Sequence, residues 1–158
     1  MAVTTAVELH PGDKAPDFKA ESTDGTHISL SQYLGKENVV LYFYPEDMTR
    51  GCTIEACKFR DDLPKFTAAH TAILGVSLDD RKKHQEFTEK DSLTFPLLVD
   101  TDSTICHAYG VPIDINWPRR WTFLIGKDGK IIKVYHTVDP RHHSDELLKD
   151  IAEHDAKK

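Results

Sequence analysis

The sequence predicts an α/β fold, with helices packed around a mostly parallel sheet and an antiparallel hairpin at one side. Short, continuously apolar runs rich in β-branched and aromatic residues, such as 39–44 (Val-Val-Leu-Tyr-Phe-Tyr), are typical of strands buried on both faces. These runs alternate with longer stretches that predict helices, and such alternation favours parallel strand pairing. The turn signal at 126–129 (Gly-Lys-Asp-Gly) joins the last two strands as a hairpin.

The predicted elements follow one another as strand, helix, strand, helix, strand, short helix, hairpin and helix. The strands are predicted at 39–44, 72–77, 95–99, 121–125 and 131–136, and the helices at 53–69, 80–90, 104–109 and 144–154. Asp24-Gly25 predicts a hairpin turn in an N-terminal extension. Pro64 lies within the first helix and predicts a kink or a break there.

Length and composition indicate one soluble domain over residues 1–158. The chain has 158 residues, of which 39% are hydrophobic and 29% are charged. Its net charge of −6 argues against nucleic acid or an anionic membrane as a partner, because both favour a basic face. The apolar runs are far shorter than the roughly 20 residues needed to span a bilayer.

The first ten residues predict a loose leader. They lack the basic and apolar regions of a secretory signal and the arginines of a transit peptide. We therefore expect a cytoplasmic protein. In that reducing compartment, three cysteines are metal ligands, catalytic thiols or small buried apolar residues, and disulfide staples are disfavoured.

Cys52 is the candidate nucleophile. It follows the first buried strand, at the point where the next helix should begin, and the carboxyl ends of strands in open α/β sheets are where ligands bind. Free N–H groups and the positive end of the helix dipole stabilise a thiolate at such a position. A thiol with a lowered pKa is nucleophilic near neutral pH.

The residues before Cys52 predict a pocket for a small substrate. Thr49 can place a hydroxyl beside the sulfur, where it could bond a hydroperoxide. Pro45 can shield the site and fix the loop, and Gly51 allows the backbone to approach a small substrate closely. Tyr44, next to Pro45, is placed either in the core or at the pocket.

Cys57 lies five residues beyond Cys52. In an intact α-helix their Cα atoms would be about 140° apart around the axis and roughly 8.7 Å apart in space, beyond the ~7 Å limit for a disulfide. A bond between them therefore requires the first turns of the helix to unwind, and reduced and oxidised forms should differ between about residues 50 and 60.

Pro45, Thr49 and Cys52 together match Pro-x-x-x-Thr-x-x-Cys, and on this basis the segment resembles that of the peroxiredoxins. The run at 51–57 (Gly-Cys-Thr-Ile-Glu-Ala-Cys) is similar to the Q-type subgroup, also called bacterioferritin comigratory protein. The resemblance extends from about residue 9 to residue 155, and includes two further segments, 11–18 and 120–130.

The resemblance implies a thioredoxin-like fold with a central mixed sheet, and reduction of hydrogen peroxide or organic hydroperoxides. It implies that Cys52 is the peroxidatic thiol and Cys57 the resolving thiol, that Thr49 bonds the peroxide, and that Pro45 shapes the pocket. The arginine of the family's active site precedes the Thr-Phe strand by two residues, which selects Arg120 over its neighbour Arg119.

The implied cycle needs no metal, haem or flavin. Cys52 becomes a sulfenic acid, Cys57 condenses with it to a disulfide, and a dithiol protein, expected to be thioredoxin, reduces the disulfide. An intramolecular disulfide does not require a dimer, so a monomer is favoured and a dimer is left open.

Three other functions stay open at this point. A redox sensor would use the same chemistry at Cys52 and pass its disulfide to a partner. A thiol–disulfide oxidoreductase usually needs a Cys-x-x-Cys pair, which is absent, and a zinc module lacks two convincing further ligands.

Some residues fall outside the motif. Cys106 is expected to be a buried inert thiol, Arg119 a surface residue, and His142-His143 part of a solvated loop. The stretch 111–119 is shorter than the usual Q-type loop.

Overall fold

The computed structural model describes residues 7–157, which form a five-stranded mixed sheet with helices on both faces. The strands are β1 Lys19–Glu21, β2 His27–Ser29, β3 Asn38–Phe43, β4 Thr71–Ser77, β5 Leu97–Val99, β6 Ile113–Asp114, β7 Trp117–Pro118, β8 Thr122–Ile125 and β9 Ile131–Tyr135. The helices are α1 Arg50–Ala68, α2 Arg81–Asp91, α3 Thr104–Tyr109 and α4 His143–Ala156, and a short 3-10 helix spans Leu30–Tyr33.

The main sheet has the order β5-β4-β3-β8-β9. β3 pairs in parallel with β4, and β4 in parallel with β5, whereas β8 is antiparallel to both β3 and β9. The sheet is thus mixed, as the resemblance implies. The predicted antiparallel hairpin, β8–β9, is confirmed at one side of the parallel strands β3, β4 and β5.

Two apolar cores lie on opposite faces of β3, because successive side chains of a strand point to opposite sides. Leu41 and Phe43 pack with residues of α3 and the N-terminal segment. Val40 and Tyr42 pack with residues of α1, α2 and α4. Cys52 belongs to this second core, so the candidate nucleophile sits on the side of the sheet that carries the longer helices.

The N-terminal hairpin is confirmed. β1 and β2 pair antiparallel, and Gly25 in the turn between them has φ 86°, which favours glycine. Of the predicted loose leader, residues 1–6 lie outside the described residues, and residues 7–10 form neither helix nor strand.

Helix α1 starts three residues earlier than the sequence pattern predicts and ends within one residue of the predicted end. It begins at Arg50, which places Cys52 within the first turn. It also passes through Pro64 without a break, although proline leaves one backbone hydrogen bond of the helix unmade. The predicted break is therefore wrong, and α1 is a single element that carries both Cys52 and Cys57.

Two further features differ from expectation. The stretch before Arg119 contains the small β6–β7 hairpin, which the sequence pattern did not predict. His143 is not in a solvated loop: it begins α4, is 1% exposed, and its Nε2 lies 2.9 Å from the hydroxyl of Thr122. Within residues 7–157, no helix is both long and apolar enough to cross a bilayer.

Candidate active site

The candidate site is built where β3 ends and α1 begins. Thr49 is the N-cap of α1, in extended conformation, and its carbonyl accepts the first helical bond from the N–H of Thr53 at 2.8 Å. Met48, just before it, adopts φ 65°, a strained value for a residue other than glycine. The loop 44–49 thus turns sharply to deliver Cys52 to the first turn of the helix.

Cys52 is almost fully buried and touches one cation. Its side chain is 1% exposed, and Nη2 of Arg120 donates a hydrogen bond to its Sγ at 3.4 Å. A Cβ on Gly51 would lie 3.1 Å from the same Nη2, so the glycine leaves room for the guanidinium. The guanidinium of Arg120 and the N-terminus of α1 thus place positive charge beside one sulfur.

Arg120 has a second partner that sequence reasoning missed. Its Nη1 donates to Oε1 of Glu55 at 2.7 Å, and Glu55 is 1% exposed. Burial raises the pKa of Glu55 to about 7, although the guanidinium beside it acts in the opposite direction. The sequence offered one sign that Glu55 belongs to the site. Residues three apart on a helix lie on the same face, so Glu55 shares a face of α1 with Cys52.

Thr49 and Pro45 are both half-buried in the loop that precedes the helix. The hydroxyl of Thr49 donates to the carbonyl of Glu46 at 3.1 Å. A hydroxyl that donates once keeps lone pairs with which it can accept from another group. Thr49 therefore fixes the loop and can still accept a hydrogen bond from a hydroperoxide.

The sequence allowed Tyr44 to lie either in the core or at the pocket, and the structure places it in the core. It is fully buried, its ring stacks on that of Tyr42 at 5.3 Å, and its hydroxyl donates to Oδ1 of Asp47 at 2.5 Å. Because the hydroxyl is committed to Asp47, Tyr44 supports the loop from the interior. The expectation that Tyr44 binds substrate is corrected accordingly.

Cys57 lies in the second turn of α1 and is a free, half-buried thiol. Burial raises its pKa, and the carboxylates of Asp91 and Asp61 act in the same direction, whereas the guanidinium of Arg60 opposes them. Cys57 is thus a weaker nucleophile than an exposed thiol for as long as the helix is intact.

The remaining sequence candidates lie apart from this site. Cys106 is fully buried in the other core, and burial raises the pKa of its thiol. Arg119 is exposed, and its Nε donates to Oδ2 of Asp114 at 2.9 Å. Both positions agree with the expectations of an inert thiol and a surface arginine, and the structure brings Arg120, not Arg119, to Cys52.

Comparison with known proteins places the chain in a family. A family model described as AhpC/TSA matches residues 11–134. Peroxiredoxin Bcp of Bacillus subtilis is 42% identical over 152 residues, covering 90% of this chain and 96% of that protein. The chloroplastic peroxiredoxin Q of Gentiana triflora is 37% identical over 150 residues, covering 93% of this chain and 69% of that protein.

Solved structures agree in fold. A PrxQ mutant of Xylella fastidiosa superposes with a TM-score of 0.88 at 31% identity, covering 95% of this chain and 99% of that one. The Xanthomonas campestris bacterioferritin comigratory protein, studied for alkyl peroxide reduction, gives a TM-score of 0.84 at 31% identity and covers 94% and 98%. These neighbours confirm the thioredoxin-like fold. The chain therefore belongs to the AhpC/TSA family, among the peroxiredoxins of the Bcp and Q type, and is a thiol peroxidase.

Proposed function

We propose that Cys52 is the peroxidatic thiol and Cys57 the resolving thiol of this peroxidase. We propose hydrogen peroxide and organic hydroperoxides as substrates, and thioredoxin as the reductant. The observation that carries the assignment is the 3.4 Å contact between the Arg120 guanidinium and the Cys52 sulfur in the first turn of α1. Of the three cysteines, Cys106 is remote in the other core, and Cys57 has carboxylates near it that disfavour a thiolate.

In the first step, the Cys52 thiolate attacks one oxygen of the peroxide. A sulfur–oxygen bond forms, the oxygen–oxygen bond breaks, and the leaving oxygen departs as water or alcohol once protonated, so that Cys52 becomes a sulfenic acid. The guanidinium of Arg120 reaches the sulfur, and it can stabilise the charge that develops on the leaving oxygen. Thr49 accepts from the hydroperoxide, and Pro45 shields the thiolate from solvent.

In the second step, the thiol of Cys57 displaces the sulfenic oxygen as water, which forms the Cys52–Cys57 disulfide. The first turns of α1 unwind so that the two sulfurs can meet, since both residues lie in one continuous helix. In the third step, thioredoxin reduces this bond by dithiol exchange, transferring two electrons and two protons.

Substrate choice, assembly and location belong to the same proposal. The Xanthomonas campestris relative, studied for alkyl peroxide reduction, supports organic hydroperoxides as substrates here. A monomer suffices, because both cysteines of the cycle lie in one helix. A cytoplasmic location supplies the reducing conditions that the third step requires.

The test combines stopped-flow peroxide titration with intact mass. Cys52→Ser should abolish turnover, and Cys57→Ser should form a stable sulfenic acid but lose recycling by thioredoxin. Cys106→Ser is the matched control, since it removes a thiol outside the site and should keep both steps. Peroxidase activity in Cys52→Ser would overturn the assignment of Cys52, and normal thioredoxin-dependent turnover in Cys57→Ser would overturn that of Cys57.

A further inference from the structure

A buried polar network lies behind the loop that carries Pro45 and Thr49. Oδ1 of Asp47 accepts the hydroxyl of Tyr44 at 2.5 Å, and its Oδ2 lies 2.6 Å from Nδ1 of His84. The other ring nitrogen of His84 lies 2.8 Å from the carbonyl oxygen of Leu98. The side chains of Asp47 and His84 are both 0% exposed.

Both ring nitrogens of His84 have hydrogen-bond partners. A backbone carbonyl can only accept, so Nε2 of His84 donates to Leu98. The short contact of Nδ1 with a carboxylate oxygen of Asp47 is the second hydrogen bond of the ring. Because each remaining polar atom of the pair also has a partner, the pair is a fully satisfied buried unit.

This geometry is that of a hydrogen bond and not of a metal site. A metal site is suggested by the closeness of three side chains, those of Asp47, His84 and Asp79. Two ligands of a tetrahedral zinc ion stand about 3.3 Å apart at bond lengths near 2.0 Å, whereas Asp47 and His84 are 2.6 Å apart. An ion would have to push the two side chains apart and break their hydrogen bond.

Helix α2 and Asp79, which directly precedes its N-cap, anchor the loop at further points. The backbone N–H of Asp47 donates to Oδ2 of Asp79, at 2.8 Å. Lys83, next to His84, bonds both Asp79 at 3.3 Å and the side chain of Glu46 at 3.0 Å. The carbonyl of Glu46 in turn accepts the hydroxyl of Thr49. The contacts thus run from α2 through the loop to the candidate peroxide-binding residue.

We infer that His84 is a positioning residue for the peroxide step. Through Asp47 it holds the strained turn at Met48, and so sets the place of Thr49 and of the helix start that carries Cys52. His84 acts through other residues, and its nearest partners are Asp47 and Leu98. The inference rests on the proposed role of Cys52, because the rate it concerns is that of Cys52 with peroxide.

The test uses His84→Phe, which fills the same space and removes both hydrogen bonds. The second-order rate of Cys52 with peroxide should fall by about tenfold to a hundredfold, as expected for a misplaced reacting group. Alkylation of Cys52 by iodoacetamide should fall much less, because that reaction does not use the peroxide pocket. Phe66→Leu, a core change at the far end of α1, is the control for lost stability and should keep the peroxide rate.

Asp47→Asn is the conservative rescue. Its amide can accept from Tyr44 and donate to Nδ1 of His84, so the contacts remain, and most of the peroxide rate should be kept. If His84→Phe does not fold, His84→Gln replaces it as the test variant. It keeps one of the two hydrogen bonds of His84, and its peroxide rate should fall by a smaller factor.

The outcomes distinguish the inference about His84 from the proposed role of Cys52. A peroxide rate for His84→Phe, or for His84→Gln in its place, within about twofold of the wild type would overturn the inference. Equal losses of peroxide and alkylation rates would also overturn it. Intact mass locates the sulfenic acid, so oxygen on a cysteine other than Cys52 contradicts the proposed function instead.

Discussion

At the scale of single residues, one guanidinium serves two acceptors. Arg120 bonds Glu55 at 2.7 Å and the sulfur of Cys52 at 3.4 Å. A carboxylate at Glu55 orients the guanidinium, but it also competes with the thiolate for the same positive charge. The second carboxylate oxygen of Glu55 is buried and has no hydrogen-bond partner within residues 7–157. Glu55 is therefore held in place by Arg120 at a cost in desolvation.

The first prediction concerns the pH dependence of stability at Glu55. Burial raises its pKa from 4.5 to about 7, so the folded state holds the proton more tightly than the unfolded state. The stability that this group contributes is fully present below about pH 4.5 and is lost as pH rises to about 7, after which it is constant. Glu55→Gln, which does not titrate, should lack this decline.

Urea unfolding of the reduced proteins, at several values from about pH 5 to about pH 8, measures the effect. The free energy of unfolding of the wild type should fall relative to that of Glu55→Gln by a few kcal/mol over this range. Glu153→Gln, an exposed change on α4, is the control and should track the wild type. If the difference in unfolding free energy between the wild type and Glu55→Gln does not vary with pH, the raised pKa of Glu55 is contradicted.

At the scale of elements, local patterns and long-range contacts differ in how well the sequence predicts them. The run 39–44 predicted both ends of β3 to within one residue. A short, continuously apolar stretch rich in β-branched and aromatic residues fits few structures other than a buried strand. Helix α3 and its end at Gly110 were also predicted, since glycine supplies the positive φ of the cap. The two-residue strands β6 and β7 were missed, because they are too short to show any period.

The contacts of the candidate site were likewise predicted in part and missed in part. The contact of Arg120 with Cys52 joins residues 68 positions apart, and it followed from the family resemblance, not from spacing. The pairing of Asp47 with His84, 37 positions apart, was missed, because no local pattern reports which loop a helix residue meets. The start of α1 was placed three residues late, since threonine and glycine are weak helix formers.

The second prediction concerns α1, which the proposed Cys52–Cys57 disulfide would unwind in the oxidised protein. The first two turns should lose amide protection on oxidation, because a disulfide between Cys52 and Cys57 needs their backbone to rearrange. The later turns are anchored in the core by Phe59 and Phe66 and should keep their protection. Hydrogen exchange of the reduced and oxidised proteins measures both segments.

Cys57→Ser exposed to the same peroxide is the control for this experiment. It should form the sulfenic acid and keep its protection, since no disulfide can pull the helix apart. Unchanged exchange in a protein whose intact mass shows the loss of two hydrogens would contradict the unwinding.

At the scale of the whole molecule, the third prediction is that oxidation lowers the melting temperature. A disulfide across so few residues restricts the unfolded chain only modestly, by about 2 kcal/mol in the chain-entropy account. Against this, the unwound turns give up the burial of Cys52 and Ala56 and the contact of Arg120 with the sulfur. Losses of buried groups commonly reach several kcal/mol, so the net effect favours the reduced state.

Calorimetry of the reduced protein, and of protein oxidised with one equivalent of peroxide, measures the difference. We expect the oxidised form to melt a few degrees lower, since each kcal/mol corresponds to about 2–4 °C in a domain of this size. Cys57→Ser given the same peroxide should show a smaller decrease, because it retains the helix. A higher melting temperature for the disulfide form would mean that the helix start contributes less to the fold than its burial indicates. A lower one means that reduction of the proposed disulfide is assisted by refolding of α1, so that the energy of the folded helix start helps return Cys52 to its reactive state.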